Sequence, residues 1–153
     1  MKYYKILNEK ENHNYFKFKT GLNIDTIEFN NKDSCSPGGF YFAKEDILGF
    51  LDYGCWIREV TIPEDAMFHI EESYNLTKYK ADKIILGKRR KIKLSVIKQL
   101  IADGANVKAN HNCALRWASA KGHLEIVKIL ISNGANVEAD DNDALRWASA
   151  NGH

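Results

Sequence analysis

At 153 residues, with 44% hydrophobic and 11% aromatic side chains, the chain has enough apolar material for one ordinary domain or two small ones packed together. A formal net charge of +2 gives no global argument for a nucleic-acid or membrane-surface partner. No apolar run approaches the ~18 residues that cross a bilayer, the N-terminus has no signal-like apolar stretch, and three cysteines without a C-x-x-C pair suit a reducing compartment.

Residues 1–87 carry no repeat. Tyr3 to Leu7 alternates weakly, and Tyr15 to Lys19 (Y-F-K-F-K) alternates apolar and charged residues as a half-buried strand does. Gly21-Leu22-Asn23 reads as a turn and Thr26 to Phe29 as a short strand. Asn30 to Gly39 (NNKDSCSPGG) is dense in turn formers, and Gly39 to Phe42 leaves that loop as an aromatic strand. Ile47, Leu48, Phe50 and Leu51 predict a helix over Lys44 to Tyr53, stopped by Gly54. Trp56 to Ile62, Met67 to Ile70 and Lys83 to Leu86 read as further strands. Several strands around one helix predict an α+β module.

Candidate chemistry in the module is sparse. Cys35, Cys55, His13 and His69 match no zinc-ligand spacing. Cys35, beside glycine-rich backbone, is a conceivable nucleophile, but a buried structural thiol is the commoner use of cysteine. No catalytic residue, cofactor or metal is expected.

Lys78 to Lys93 (KYKADKIILGKRRKIK) holds eight basic residues and one acid, Asp82. The plainest reading is a solvated strand and linker, with residues 88–93 joining module 1–87 to residues 94–153. A nuclear-import signal or a phosphate patch in Lys88, Arg89, Arg90, Lys91 and Lys93 ranks below it. A basic run without interleaved aromatics argues weakly for nucleic acid.

Residues 94–153 repeat. Leu94 to His123 laid over Leu124 to His153 agrees at 19 of 30 positions, with A-L-R-W-A-S-A at Ala114 to Ala120 and again at Ala144 to Ala150. A fixed period of this size signals stacked supersecondary units. Small residues around Trp117 and Trp147 predict a first helix that neighbours approach closely. Leu124, Ile126, Val127, Leu130 and Ile131 predict a second helix with one broad apolar face. Gly122 and Gly134 end the two helices, and Asn136 to Asp143 makes a short polar loop. Asp143 sits where a helix N-cap belongs, while Cys113, its counterpart, caps poorly and leaves the role to Asn112.

These residues resemble the ankyrin repeat. Cys113-Ala114-Leu115-Arg116-Trp117-Ala118 occupies the place of T-P-L-H-x-A, Gly122-His123-Leu124-Glu125-Ile126-Val127 matches G-H-L-E-I-V, and Gly134-Ala135-Asn136-Val137 looks like G-A-D-V. The period is shorter than the ~33 residues usual in the family, and the family's Thr and His are replaced by Cys113 or Asp143 and by Arg116 or Arg146. The short period and the R-W-A-S wording are similar to the ankyrin repeat proteins of giant viruses of the mimivirus type. In that family a comparable module precedes the repeats.

The resemblance implies an all-α helical stack behind the module, acting on protein partners in the cytoplasm or nucleus of a host cell. The binding surface would draw on loop tips and first helices: Lys108, Asn110, His111, Arg116, Glu138, Asp140, Asp141 and Arg146. Solvation is the plain alternative for the tips. Replacement of the missing His is the alternative for Arg116 and Arg146. The module would cap the stack, with Ile92, Leu94 and Ile97 docking onto it. The missing cap at the other end favours a truncated array. Gly39-Phe40-Tyr41-Phe42-Ala43 also looks like the G-x-Y-F-A segment of ADP-ribosyltransferases. That resemblance implies a nicotinamide-stacking Tyr41 and a later Glu (Glu59, Glu71 or Glu72), and a pocket with converging polar groups would favour it.

Overall fold

The computed structural model describes residues 2–32, 36–73 and 75–153. Cys35 lies outside them. Its elements are β1 (Tyr3–Leu7), β2 (Asn12–His13), β3 (Phe16–Lys17), β4 (Gly21–Ile24), β5 (Phe40–Phe42), a 3-10 helix η1 (Glu45–Tyr53), β6 (Trp56–Thr61), β7 (Phe68–Ser73), β8 (Leu76–Ala81), β9 (Lys83–Leu86) and β10 (Arg90–Lys91). The helices α1 (Leu94–Ala102), α2 (Ala109–Ala120), α3 (Leu124–Ser132) and α4 (Ala139–Ala150) follow. An α+β module thus precedes an all-α stack.

The strands make a ring. β1 pairs with β6 and β6 with β9; β8 runs into β9 through Asp82 and pairs with β5. β5 returns to β1 through reciprocal backbone hydrogen bonds between Tyr4 and Ala43, at 2.8 and 2.9 Å. β7, β4 and β10 add to β8, β9 and β6, and β2 pairs with β3 as a hairpin. All pairings are antiparallel, so each strand offers alternate residues to the two faces. On β1, Tyr4 and Ile6 join the core shared with the helices, while Leu7 joins Phe18, Phe40, Phe42, Val60, Ile84 and Leu86 inside the ring.

Several expectations need correction. Gly21–Ile24 is a strand, not a turn, because the Asn23 amide closes the turn upstream of itself. It donates to the Lys19 and Gly21 carbonyls at 2.9 and 2.8 Å and accepts the Lys19 N–H at 3.0 Å. Thr26 to Phe29 is no strand, since the Asp25 carboxylate takes the Ile27 and Gly39 N–H groups at 3.0 and 2.7 Å and bends the backbone there. The predicted helix is of 3-10 type and kinks at Asp46, whose carboxylate accepts from Thr77 N–H at 2.8 Å and Asn106 Nδ2 at 2.9 Å. Within the expected basic linker, Arg90 and Lys91 form β10 on β6. Lys80 of the basic run is fully buried on β8, its Nζ donating to the Asn30 carbonyl at 2.6 Å and to Ser36.

One core joins module and stack. Tyr4, Ile47, Leu48, Leu51 and Ile57 are buried with Ile97, Leu100, Ala114, Leu115 and Ala118, and Ile92 and Leu94 pack on this cluster. The 3-10 helix lies against α2 as α2 lies against α4, so η1 stands where the first helix of a preceding unit would stand, with α1 as its second. Backbone detail repeats the substitution. Asn136 N–H is accepted by Asn112 Oδ1 at 2.8 Å, and its counterpart Asn106 N–H by the Glu45 carbonyl at 2.7 Å.

Candidate functional site

The loop tips are built by local chemistry. Asn106 Oδ1 accepts Lys108 N–H at 3.0 Å, and Asn136 Oδ1 accepts Glu138 N–H at 3.0 Å, giving one side-chain turn in each copy. Three consecutive left-handed residues follow. Asn110, His111 and Asn112 have φ of 49, 54 and 58°, and Asp140, Asp141 and Asn142 have φ of 52, 56 and 60°. Left-handed backbone costs most residues about 1–2 kcal/mol each, and Asn, Asp and His are the non-glycine residues enriched there. N-H-N and D-D-N are therefore conformational choices as well as polar ones. A single left-handed turn is how the short period reverses the chain.

The eight surface residues fall into two kinds. Lys108, Glu138 and Asp141 are exposed and have no side-chain hydrogen bond or ion pair with the described residues. Among the described residues Arg146 reaches Asp143 alone, at 3.8 Å. The others tie the molecule together. Arg116 donates to the Asn110 carbonyl and to Asp143, both at 3.3 Å, and approaches Asp140 at 3.7 Å. Asn110 Nδ2 donates to the Gly49 carbonyl at 3.0 Å, pinning the loop to η1. His111 bridges Asn75 (3.0 Å) and Asp140 (3.3 Å). Arg116 fastens loop to helix and one copy to the next.

Asp143 and Asn112 do not cap. Asp143 turns to Arg116 and Arg146, and Asn112 reaches the next loop. The repeated Gly-His also has a packing role. The His153 ring sits so close to Gly122 that a Cβ there would lie 2.7 Å from it, and the His123 ring meets Trp117 at 5.1 Å. Cys113 is buried, and desolvation pushes its thiol up to about 11, an inert state. Among the described residues no three His, Cys, Asp or Glu side chains gather as a metal site.

The basic run is largely engaged. Arg89 and Lys91 flank the Trp56 ring at 4.6 and 4.9 Å, Arg89 also reaches Glu11 at 3.3 Å, and Arg90 donates to Gln99 of α1 at 2.8 Å. Lys88 and Lys93 are exposed.

Gly39, Phe40 and Tyr41 do border a cavity of about 550 Å³. Lys5 and His13 also line it, and sequence reasoning assigned neither to such a site. The signal was present: Lys5 interrupts an apolar run at a position where β1 turns inward. None of Glu59, Glu71 and Glu72 borders the cavity; Glu59 pairs with Lys2 at 2.8 Å and Glu71 with Lys78 at 2.6 Å.

Comparison with known proteins gives a consistent picture. The family model for ankyrin repeats matches residues 89–153. An uncharacterised protein of Acanthamoeba polyphaga mimivirus is 41% identical over 126 residues, covering 80% of this chain and 91% of its own. Two proteins of the same virus named for ankyrin repeats are 36% identical over 113 residues (69% of this chain, 37% of the relative) and 39% identical over 127 residues (80% and 62%). The chain thus spans less than two thirds of those two. Each alignment is too long to rest on the repeats alone. No solved structure matches the chain significantly.

Proposed function

The chain belongs to the mimivirus-type ankyrin repeat proteins, and from that premise we propose that it is a non-enzymatic adaptor whose loop tips and first helices bind a host protein. Ankyrin repeats imply a protein-interaction role, and a rigid stack in which each unit touches only its neighbours suits that role. The observation that carries the reading is the second loop tip. Glu138 and Asp141 project from the loop tip and pair with none of the described residues. Acids so placed favour a partner with a basic segment, chiefly through encounter rate and register. Lys108, on the first tip, adds a charge of opposite sign that would orient such a partner. The setting we assign is the host cytoplasm or nucleus; no helix among the described residues is long and apolar enough to cross a membrane.

The test is capture from an amoebal lysate with the full chain and with Glu138→Lys/Asp141→Asn. Both positions are exposed, Glu138 has right-handed backbone and Asn tolerates the left-handed backbone at 141, so the variant should keep its fold, which circular dichroism checks. A host protein retained by the parent and lost at least tenfold by the variant supports the reading. Identical captures would remove the second tip from the binding surface.

A further inference from the structure

The cavity in the N-terminal module has a chemistry that the repeats do not explain. Its volume, about 550 Å³, lies within the ~300–1,000 Å³ of small-molecule sites. Aromatic walls come from Phe16, Phe18, Phe40 and Tyr41. Polar lining includes the amides of Asn8, Asn12, Asn14 and Asn110, the Ser36 hydroxyl and basic groups, with no carboxylate among the described lining residues.

Lys5 is the decisive group. Only 4% of it is exposed. Its Nζ donates to the Tyr41 carbonyl at 2.6 Å and stands 4.7 Å from the centre of the Phe18 ring, and no acidic side chain pairs with it among the described residues. A buried ammonium without a counter-charge costs several kcal/mol, and one carbonyl with one ring face compensates only part of that. The contrast with Arg58 is informative. That side chain is equally buried, but it makes a two-point pair with Glu11 at 2.7 and 3.0 Å and donates to Thr20 and the Gly87 carbonyl. At Arg58 the fold supplies an acid to a buried structural cation. At Lys5 it supplies a cavity.

We propose that this cavity binds a small organic anion, a carboxylate or sulfonate on an aromatic body, with Lys5 as its counter-charge and the phenylalanine rings as its walls. The other basic groups at the site are His13 of the β2–β3 hairpin and Lys78 of β8, the latter held by Glu71 at 2.6 Å. His13 stands at the cavity's edge, and with its pKa held down it is neutral near pH 7 and leaves Lys5 as the charge that meets the ligand.

Protonation sharpens the reading. Burial lowers Lys5 to about 7, so near neutral pH the empty site holds amine and ammonium together. Desolvation, and then the Lys5 charge, hold His13 below its ordinary value. An anion binds the ammonium form better, so binding raises the Lys5 pKa and takes up a proton. Affinity then falls as pH rises, by up to tenfold per unit above 7, until the bound-state pKa is reached.

Titration calorimetry of the full chain with 2-naphthoate and its neutral isostere 2-naphthamide tests this, at pH 7.5 in two buffers of different ionisation enthalpy. The expected result is naphthoate binding at least tenfold tighter than naphthamide, with net proton uptake, and Lys5→Met binding both alike. The proton-uptake arm uses the unaltered protein and stands even if that variant folds poorly. Equal affinities, a preference that survives Lys5→Met, no proton uptake, or no binding of either compound at millimolar concentration would each overturn the proposal.

Discussion

Ala114–Ala120 and Ala144–Ala150 have the same seven residues and opposite fates. Leu115 is 1% exposed, between η1 and the next unit, while Leu145 is 66% exposed; Trp117 packs on the shared core, and Trp147 is half open to solvent. The preceding loops behave the other way. Their sequences differ, N-H-N against D-D-N, yet their left-handed φ values agree within 3°. Loop shape is therefore set locally, by residues that tolerate positive φ, whereas burial is assigned by the neighbour. The same helix sequence is core where a described unit packs on it and surface where none of the described residues does.

The sharpest way to break this comparison is paired truncation. Leu115→Ala should cost about 3 kcal/mol by transfer and cavity terms, and Leu145→Ala less than about 0.5 kcal/mol, read as midpoints in urea denaturation. A comparable cost at Leu145 would mean that the α4 face is covered in solution, and a concentration-dependent midpoint would then identify self-association. Asn112 and Asn142 form the next pair. Alanine at either position adds the strain of left-handed backbone, about 1 kcal/mol. Asn112→Ala also frees the Asn136 N–H that it accepts at 2.8 Å and should cost about 1–2 kcal/mol more than Asn142→Ala, since Asn142 is exposed and has no such bond among the described residues.

Much of this was legible in the sequence, because repetition and periodicity are local signals. The helix pair, the glycine stops and the aromatic strand Phe40–Phe42 could be read directly. Three things could not. Asn23 looked like its own turn residue but folds the segment before it, a distinction that spacing does not encode. Lys78 and Lys80 read as solvated charges, and the β8 alternation was lost because buried lysine breaks the polar-out rule. The function of η1 as a first helix was hidden by roughly forty residues of intervening sheet before α1. For the candidate surface, the tips were identifiable, but which residues were already occupied depended on contacts across copies, as with Arg116 and Asp143.

Backbone strain gives a smaller and opposite effect. Asp141→Gly or His111→Gly relieves a left-handed residue, and the unfolded-state entropy of glycine offsets part of the gain, leaving about 0.5 kcal/mol of stabilisation. At His111 the lost contacts to Asn75 and Asp140 cancel it, so only Asp141→Gly should raise the midpoint.

The arginine pair carries the smallest difference. Arg116→Met removes partly exposed ion pairs to Asp143 and Asp140 and a hydrogen bond to the Asn110 carbonyl, worth together about 0.5–1 kcal/mol. Arg146→Met loses one 3.8 Å contact and should change nothing measurable. Salt separates the causes, since raising ionic strength to 1 M shortens the screening length to about 3 Å and should erase the ionic share of the Arg116 effect. Any remainder at high salt belongs to the carbonyl bond inside the loop. If the whole cost survives, Arg116 acts within its own copy, and the two units are held together by Asn112 and apolar packing.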